Sequence, residues 1–466
     1  MAVKTPVGKT SRESIFNVIT QGDVFGPILC SNQVDTFGKE CLVEGKYSYT
    51  YKGEVEIPPL GMVDDLICIS ECGHRTTMMN SFINFKTNSK KLQFGAKKCK
   101  KMHVGHIKED FKCQDQFVDS WTEVEVTNDV TGEVHLKDVC NGEQIMEQKC
   151  EERYLGDVIS IDGRNIKNIK ARIAKGTGIV RNIITILDGI PFGKHYFEVG
   201  KILRNSLLVS SVLFNAEAWY NLTSSELDLL ETIDLSLLRK LLDAPRTTPK
   251  EMLFLEIGVV PLREIIRERR LGFLYYILNE NPDSMIYRFF QSQMKYRGRR
   301  DWVTTVLEDL KYLEIDKTME EITKMKKGSY MNMIKQRIQA KAFENLEKIK
   351  LSHSKVEHIE HNGINMQKYL QPNSEKMNRE EAQTIFKLRC RAIKLKANMK
   401  SMYDSLECTA CGIEEENQQH ILECSILNTN LEECKYGKIF NGTVSDKVKI
   451  ARRFKENFDR LEKMKK

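Results

Sequence analysis

Hydrophobic and polar positions follow two different rhythms along this chain. Up to about residue 160, short runs rich in β-branched and aromatic residues (Tyr47 to Tyr51, Val55 to Ile57, Leu66 to Ile69, Val118 to Val126) are separated by Gly, Pro, Asn and Asp, which predicts strands joined by turns. Beyond Asn165 the period becomes helical, first to about Ile190 and again from His195 to Tyr220, with Ile166, Ile169, Ile173 and then Leu203, Leu207, Leu208 on one face. Thr223 followed by Glu226 has the spacing of a capping box, and Leu227, Leu230, Leu237 and Leu241 extend an apolar stripe that Pro245 and Pro249 stop. Pro261 opens another helix, which buries Leu262, Ile265, Ile266, Phe273 and Ile277 and keeps Arg263, Arg267, Arg269 and Arg270 on a cationic face. A polar, Arg-rich linker around 281–300 leads to a Lys-rich helical region ending near Tyr403, and then to a small cysteine-bearing module. The pattern predicts an α+β fold, strands first and helices after.

Composition narrows the class without naming a partner. The chain has 466 residues, 41% hydrophobic and 29% charged, with only 27 Gly and 10 Pro, which excludes a disordered or fibrous protein and predicts about three domains. Residues 1–20 are polar and no apolar run approaches the roughly 18 residues of a membrane span, so an intracellular protein with no membrane partner is expected. Thirteen cysteines, odd in number and scattered, predict reduced thiols. A net charge of +7 is too mild to identify a partner, so local clusters matter more.

Three such clusters stand out. Lys86, Lys90, Lys91, Lys97, Lys98, Lys100, Lys101, Lys108 and Lys112 are interleaved with Phe85, Phe94, His103 and His106, which suits salt-dependent binding of a phosphate backbone, or else a solvated face. Lys324, Lys326, Lys327, Lys335 and Lys341 form a second group. Arg389, Arg391, Lys394, Lys396 and Lys400 form a third and run directly into the cysteine module.

Two motifs carry chemistry. Asp64-Asp65 lies between the apolar runs Leu60 to Val63 and Leu66 to Ile69, where adjacent carboxylates read either as an exposed hairpin turn or as a divalent-metal site for phosphoryl chemistry. Cys408-x2-Cys411-x8-His420-x3-Cys424 is the pattern of a closed, tetrahedral Zn²⁺ site: two thiolates from one tight turn, which Gly412 permits, and His420 with Cys424 on one face of a short helix. A phosphate loop of the G-x-x-x-x-G-K type and a G-x-S-x-G turn are absent.

Gln21-Gly22-Asp23 with Pro27, Met62-Val63-Asp64-Asp65, Lys97-Lys98-Cys99 and Tyr154-Leu155-Gly156 occur in the order of the later boxes of a reverse transcriptase. On these residues the chain resembles the polymerase of LINE-type retrotransposons, those without long terminal repeats. The resemblance implies part of a right-hand palm built on an antiparallel sheet (1–160), a helical thumb (161–290), a Lys-rich helical region (291–403), a CCHC zinc knuckle (404–430) and a basic helical tail (431–466). It implies RNA-directed DNA polymerase activity, with Asp64 and Asp65 holding Mg²⁺ or Mn²⁺ and Lys98 assisting pyrophosphate departure. Gln21-Gly22 would lie against template and nucleotide, and Tyr154-Leu155-Gly156 would form the primer grip. The implied partners are an RNA template, a DNA primer or target and deoxynucleoside triphosphates, in nucleus and cytoplasm. Residues 1–20 contain no aspartate to match the family's upstream metal-binding box, so the chain reads as the C-terminal portion of such a polymerase. The alternative is a non-catalytic RNA- or DNA-binding protein derived from one.

Overall fold

The strand-forming runs of the first 160 residues are short, and each finds a single neighbour. In the computed structural model the described residues are 4–5, 8–9, 31, 35–36, 38–42, 48–62, 65–71, 79–80, 82–87, 99–102, 124–127, 134–137, 147–148, 150–189, 195–298, 300–372, 377–428 and 435–465. Five antiparallel pairs join β1 (Lys4–Thr5) to β2 (Gly8–Lys9), β3 (Tyr49–Tyr51) to β4 (Val55–Ile57), β5 (Leu60–Met62) to β6 (Asp65–Ile67), β8 (Val124–Thr127) to β9 (Val134–Lys137) and β11 (Glu151–Tyr154) to β12 (Asp157–Ser160). β7 (Lys100–Lys101) and β10 (Glu147–Gln148) pair in parallel. No strand among the described residues has two neighbours, so a continuous palm sheet is not assembled there.

Residues 1–164 and 280–298 form one unit. Among its described residues, Cys41, Met79, Phe82 and Ile83 form a buried apolar cluster, with Leu66 and Cys68 packed against it. The β3–β4 hairpin leans on the helix Met285–Lys295, where the Tyr51 and Phe289 ring centroids are 4.6 Å apart and the Tyr296 hydroxyl donates to Glu54 at 2.9 Å. Reduced thiols hold for Cys41, Cys68, Cys99, Cys390, Cys408, Cys411 and Cys424, but Cys150 is disulfide-bonded, because scatter along a sequence does not decide which thiols meet in space.

Residues 165–279 and 299–466 form the second unit, and it is mostly helical. In order come α1 (Ile166–Asp188), α2 (Tyr196–Leu203), α3 (Ser224–Leu242), α4 (Lys250–Ile257), α5 (Leu262–Leu278), α6 (Trp302–Tyr312), α7 (Met319–Lys324), α8 (Lys327–Lys350), α9 (Arg379–Arg389), α10 (Gln418–Glu423), α11 (Lys438–Asn441) and α12 (Val444–Met464). The capping box at Thr223 forms as expected: Glu226 N–H donates to the Thr223 hydroxyl at 3.2 Å and Thr223 N–H to the Glu226 carboxylate at 2.9 Å. One apolar core runs from Ile169 on α1 through Leu237 and Leu241 on α3 and Phe254 on α4 to Phe386 on α9 and Phe454 on α12. No helix among the described residues is long and apolar enough to cross a membrane.

The cationic face expected on α5 is instead a set of internal counter-ions. Arg263 makes two bonds to Glu231 at 2.7 and 3.0 Å and one to Asp228 at 2.7 Å. Arg267 bonds Glu264 at 2.7 Å, Arg270 bonds Asp309 at 2.7 Å, and Arg269 donates to the Leu213 carbonyl. Apart from Glu264, which lies on α5 itself, the acids come from α3 and α6, so periodicity within α5 alone misassigns the face. Arg204 repeats the theme: its side chain is 1% exposed, bonded to Asp234 and, at 3.0 Å, to the Val260 carbonyl.

The deepest of these networks centres on Glu256, the next-to-last residue of α4. Its fully buried carboxylate accepts from Arg389 at 3.0 Å and from the Tyr369 hydroxyl at 2.6 Å, with His361 Nε2 at 3.3 Å. Burial alone would raise its pKa; Arg389, His361 and Tyr369 more than reverse that and hold it down at about 2. Two residues on, Gly258 adopts φ +69°, and a Cβ there would lie 2.1 Å from the Met366 nitrogen, so the two backbones cross where no side chain fits.

A carboxylate held below its usual range stabilises the fold above the unfolded-state value of about 4.3, and that stability is lost as pH falls through about 2. Glu256→Gln leaves Arg389 buried without its counter-ion, so urea unfolding at pH 7 should show a loss of about 3–5 kcal/mol. The gap between the two proteins should narrow as pH falls from about 4 towards 2; a constant gap would mean that the Glu256 charge is not what stabilises this region.

Candidate metal centre

The Cys408 to Cys424 pattern folds into a cage. Gly412 takes φ +67° after the second cysteine, its N–H donating to the Cys408 carbonyl at 2.7 Å, and Glu407 bridges Glu415 antiparallel across the loop. Asn417 then caps α10 by accepting from the His420 N–H at 2.9 Å, which starts the helix so that His420 and Cys424 face the cysteine turn. The three sulfurs and one imidazole nitrogen all lie within 4.8 Å of one another. Zinc, at about 2.3 Å from sulfur and about 2.1 Å from nitrogen, sets tetrahedral donors roughly 3.5–3.8 Å apart, so a modest contraction closes the shell.

The two thiols of the turn sit in opposite electrostatic settings. Backbone N–H groups of Glu414 and Ile413, with the His420 ring, pull the Cys411 thiol down to about 6 against the opposing effect of burial. Burial pushes Cys408 up to about 11, while the N–H groups of Cys411 and Ala410 oppose it; a bound dication would reverse that balance. His420 Nε2 lies 3.3 Å from Cys411 Sγ, and its Nδ1 lies 3.0 Å from Glu414. With the proton on Nδ1 and donated to Glu414, Nε2 is left as the metal donor, the usual carboxylate–histidine–metal arrangement.

The cage is tied to the helical unit. Ile421 and Leu427 are fully buried in the shared core, the Ile421 carbonyl accepts from Asn457 of α12 at 2.8 Å, and the Leu427 carbonyl accepts from Arg460 at 2.7 Å. The basic group that precedes the module is largely used internally: Arg389 on Glu256, Lys396 on the Glu407 carbonyl at 2.8 Å, Lys400 near Glu415 at 3.3 Å. Arg391 and Lys394 are exposed.

The other expected site residues are less fully in view. Gln21, Gly22, Asp64 and Lys98 lie outside the described residues. Asp65 begins β6 opposite Met62, on an exposed edge, and the Cys/His set is the only metal-competent cluster among the described residues. Tyr154 pairs with Asp157, so Leu155 and Gly156 form the two-residue turn of the β11–β12 hairpin, both with positive φ, +46° and +87°. Burial raises the Tyr154 pKa, and the charges of Asp65 and Cys68 raise it further.

No family model, curated protein or solved structure matches this chain. What the described residues define is a mostly helical α+β protein with a Cys3His group able to bind a zinc-like ion.

Sequence reasoning finds all four metal donors but misses their support. Of the consecutive Glu414, Glu415 and Glu416, one faces His420, one Lys400 and one is fully buried. The capping pattern of Asn417 ahead of His420 was the available signal that the acids end at a structured turn. The purified chain should carry one zinc equivalent by elemental analysis, lost in Cys408→Ser and Cys424→Ser, with chelation lowering the melting temperature. Zinc content unaffected by either substitution would remove this site.

Proposed function

We propose that the chain is the C-terminal portion of a LINE-type retrotransposon reverse transcriptase, an RNA-directed DNA polymerase, whose helical unit and zinc centre hold primer and template. The observation that carries this reading is the ordered set of boxes at Gln21-Gly22, Asp64-Asp65, Lys98 and Tyr154-Leu155-Gly156, followed by the Cys3His cluster. Bound Mg²⁺ or Mn²⁺ supplies the Lewis acidity of phosphoryl transfer. Asp64 and Asp65 hold it, Lys98 neutralises the departing pyrophosphate, and Gln21-Gly22 backs the template and the incoming deoxynucleotide.

The second reading is a non-catalytic RNA- or DNA-binding protein of the same descent. Primer extension on an RNA template with Mg²⁺ separates the two. The polymerase reading expects extension that falls at least ~100-fold in Asp64→Ala, as when one electrostatic stabiliser is lost, with RNA affinity and its salt dependence unchanged. Binding without extension by the unaltered chain would leave only the second reading; absence of both would remove the pair.

Leu155 gives an independent check, because a leucine in the left-handed region is strained. Leu155→Asn should raise stability by about 0.5–1 kcal/mol while weakening binding of a primed template, measured by fluorescence anisotropy. Raised stability with unchanged binding would take the hairpin tip out of the primer contact.

A further inference from the structure

Glu416 supplies no atom to the Cys3His set, yet its carboxylate is fully buried at a point where three stretches of the second unit meet. One oxygen accepts from the backbone N–H of Thr409 at 3.2 Å and from its hydroxyl at 2.8 Å, and Thr409 lies between the ligands Cys408 and Cys411. The other accepts from the Lys396 N–H at 3.4 Å and from Lys465 Nζ, just past the end of α12, at 2.8 Å. The Glu416 main chain is pinned as well: its N–H donates to the Leu406 carbonyl at 2.8 Å, and its carbonyl accepts from the Ala397 N–H at 3.1 Å. A buried carboxylate in this position is tolerated only while its donors stay in place, and Lys465 is its one cationic partner in the structure as described.

We propose that Glu416 and Lys465 are positioning residues of the metal centre. Lys465 holds the Glu416 carboxylate, the carboxylate fixes Thr409, and Thr409 sets the turn that presents Cys408 and Cys411, so metal affinity depends on the end of α12. This rests on the reading of Cys408, Cys411, His420 and Cys424 as a zinc site. Loss of outer-sphere partners of this kind lowers metal affinity about 10- to 100-fold. Coupling is reciprocal, so bound metal in turn holds the end of α12.

The test uses the full chain: Zn²⁺ affinity by competition with a chromophoric chelator, and hydrogen exchange over residues 458–465 with and without zinc. Lys465→Met should bind one zinc at least ~10-fold more weakly than the unaltered chain, Lys465→Arg should restore the affinity, and Lys463→Met, an equal change of charge on an exposed neighbour, should leave it unchanged. Zinc should slow exchange over 458–465 in the unaltered chain and not in Lys465→Met. If Lys465→Met binds as tightly as Lys463→Met, or both weaken equally, the proposal is overturned and the zinc site stands. If the unaltered chain binds no zinc, or Cys408→Ser binds it equally well, the zinc reading itself fails and takes this inference with it.

Discussion

A negative charge with no access to water needs partners already in place, and the Glu256 carboxylate draws its partners from segments far apart in the chain: Arg389 on α9, and His361 and Tyr369 on the connection that leads to it. Arg389 also lies 5.7 Å from the ring centroids of both Tyr369 and Phe440. Apolar packing alone would allow these helices to slide by a fraction of a turn, whereas a fully bonded buried ion admits one arrangement. The Cys3His cluster is joined to that arrangement, because the segment that leaves Arg389 supplies the Lys396 N–H to Glu416, whose carboxylate also holds Thr409 of the cysteine turn.

The same economy explains why a modest positive charge says little about partners. Cations on α5, on α9 and beside the cage are paired with Glu231, Asp228, Asp309, Glu256 and Glu415 inside one unit. In the proposed reading, a phosphate backbone would meet the residues left outward, such as Arg391, Lys394 and the exposed Lys324, Lys326 and Lys327 at the α7–α8 junction. From residue 404 to residue 434 there is no Lys or Arg at all. The metal module therefore contributes shape and anchorage to that body more readily than it contributes attraction for an anion.

Local signals in the sequence proved sufficient wherever the physics is local. The helix at Ser224–Leu242 follows from its capping box and stripe, the helix after Pro261 from its fixed φ, and the four metal donors from spacing, since each depends on neighbours within a few residues. The paired fate of Arg263 and Arg270 and the burial of Glu256 and Glu416 depend on residues tens to hundreds of positions away. No periodicity records them. Lys4–Thr5, Val124–Thr127 and the other short strands also lack the long alternating runs that fix a sheet's register from sequence.

The crossing at Gly258 has a consequence for how this protein's descent is to be read. There the chain passes within contact distance of the 365–366 backbone, and any substituent would force the two apart. Selection at that position therefore acts on clearance alone, whatever chemistry the chain performs. In the proposed reading, a lineage that had lost polymerisation and metal binding but still folded would keep this glycine while Asp64 and the cysteines drifted, so persistence at 258 dates the fold and persistence at the other positions dates the chemistry.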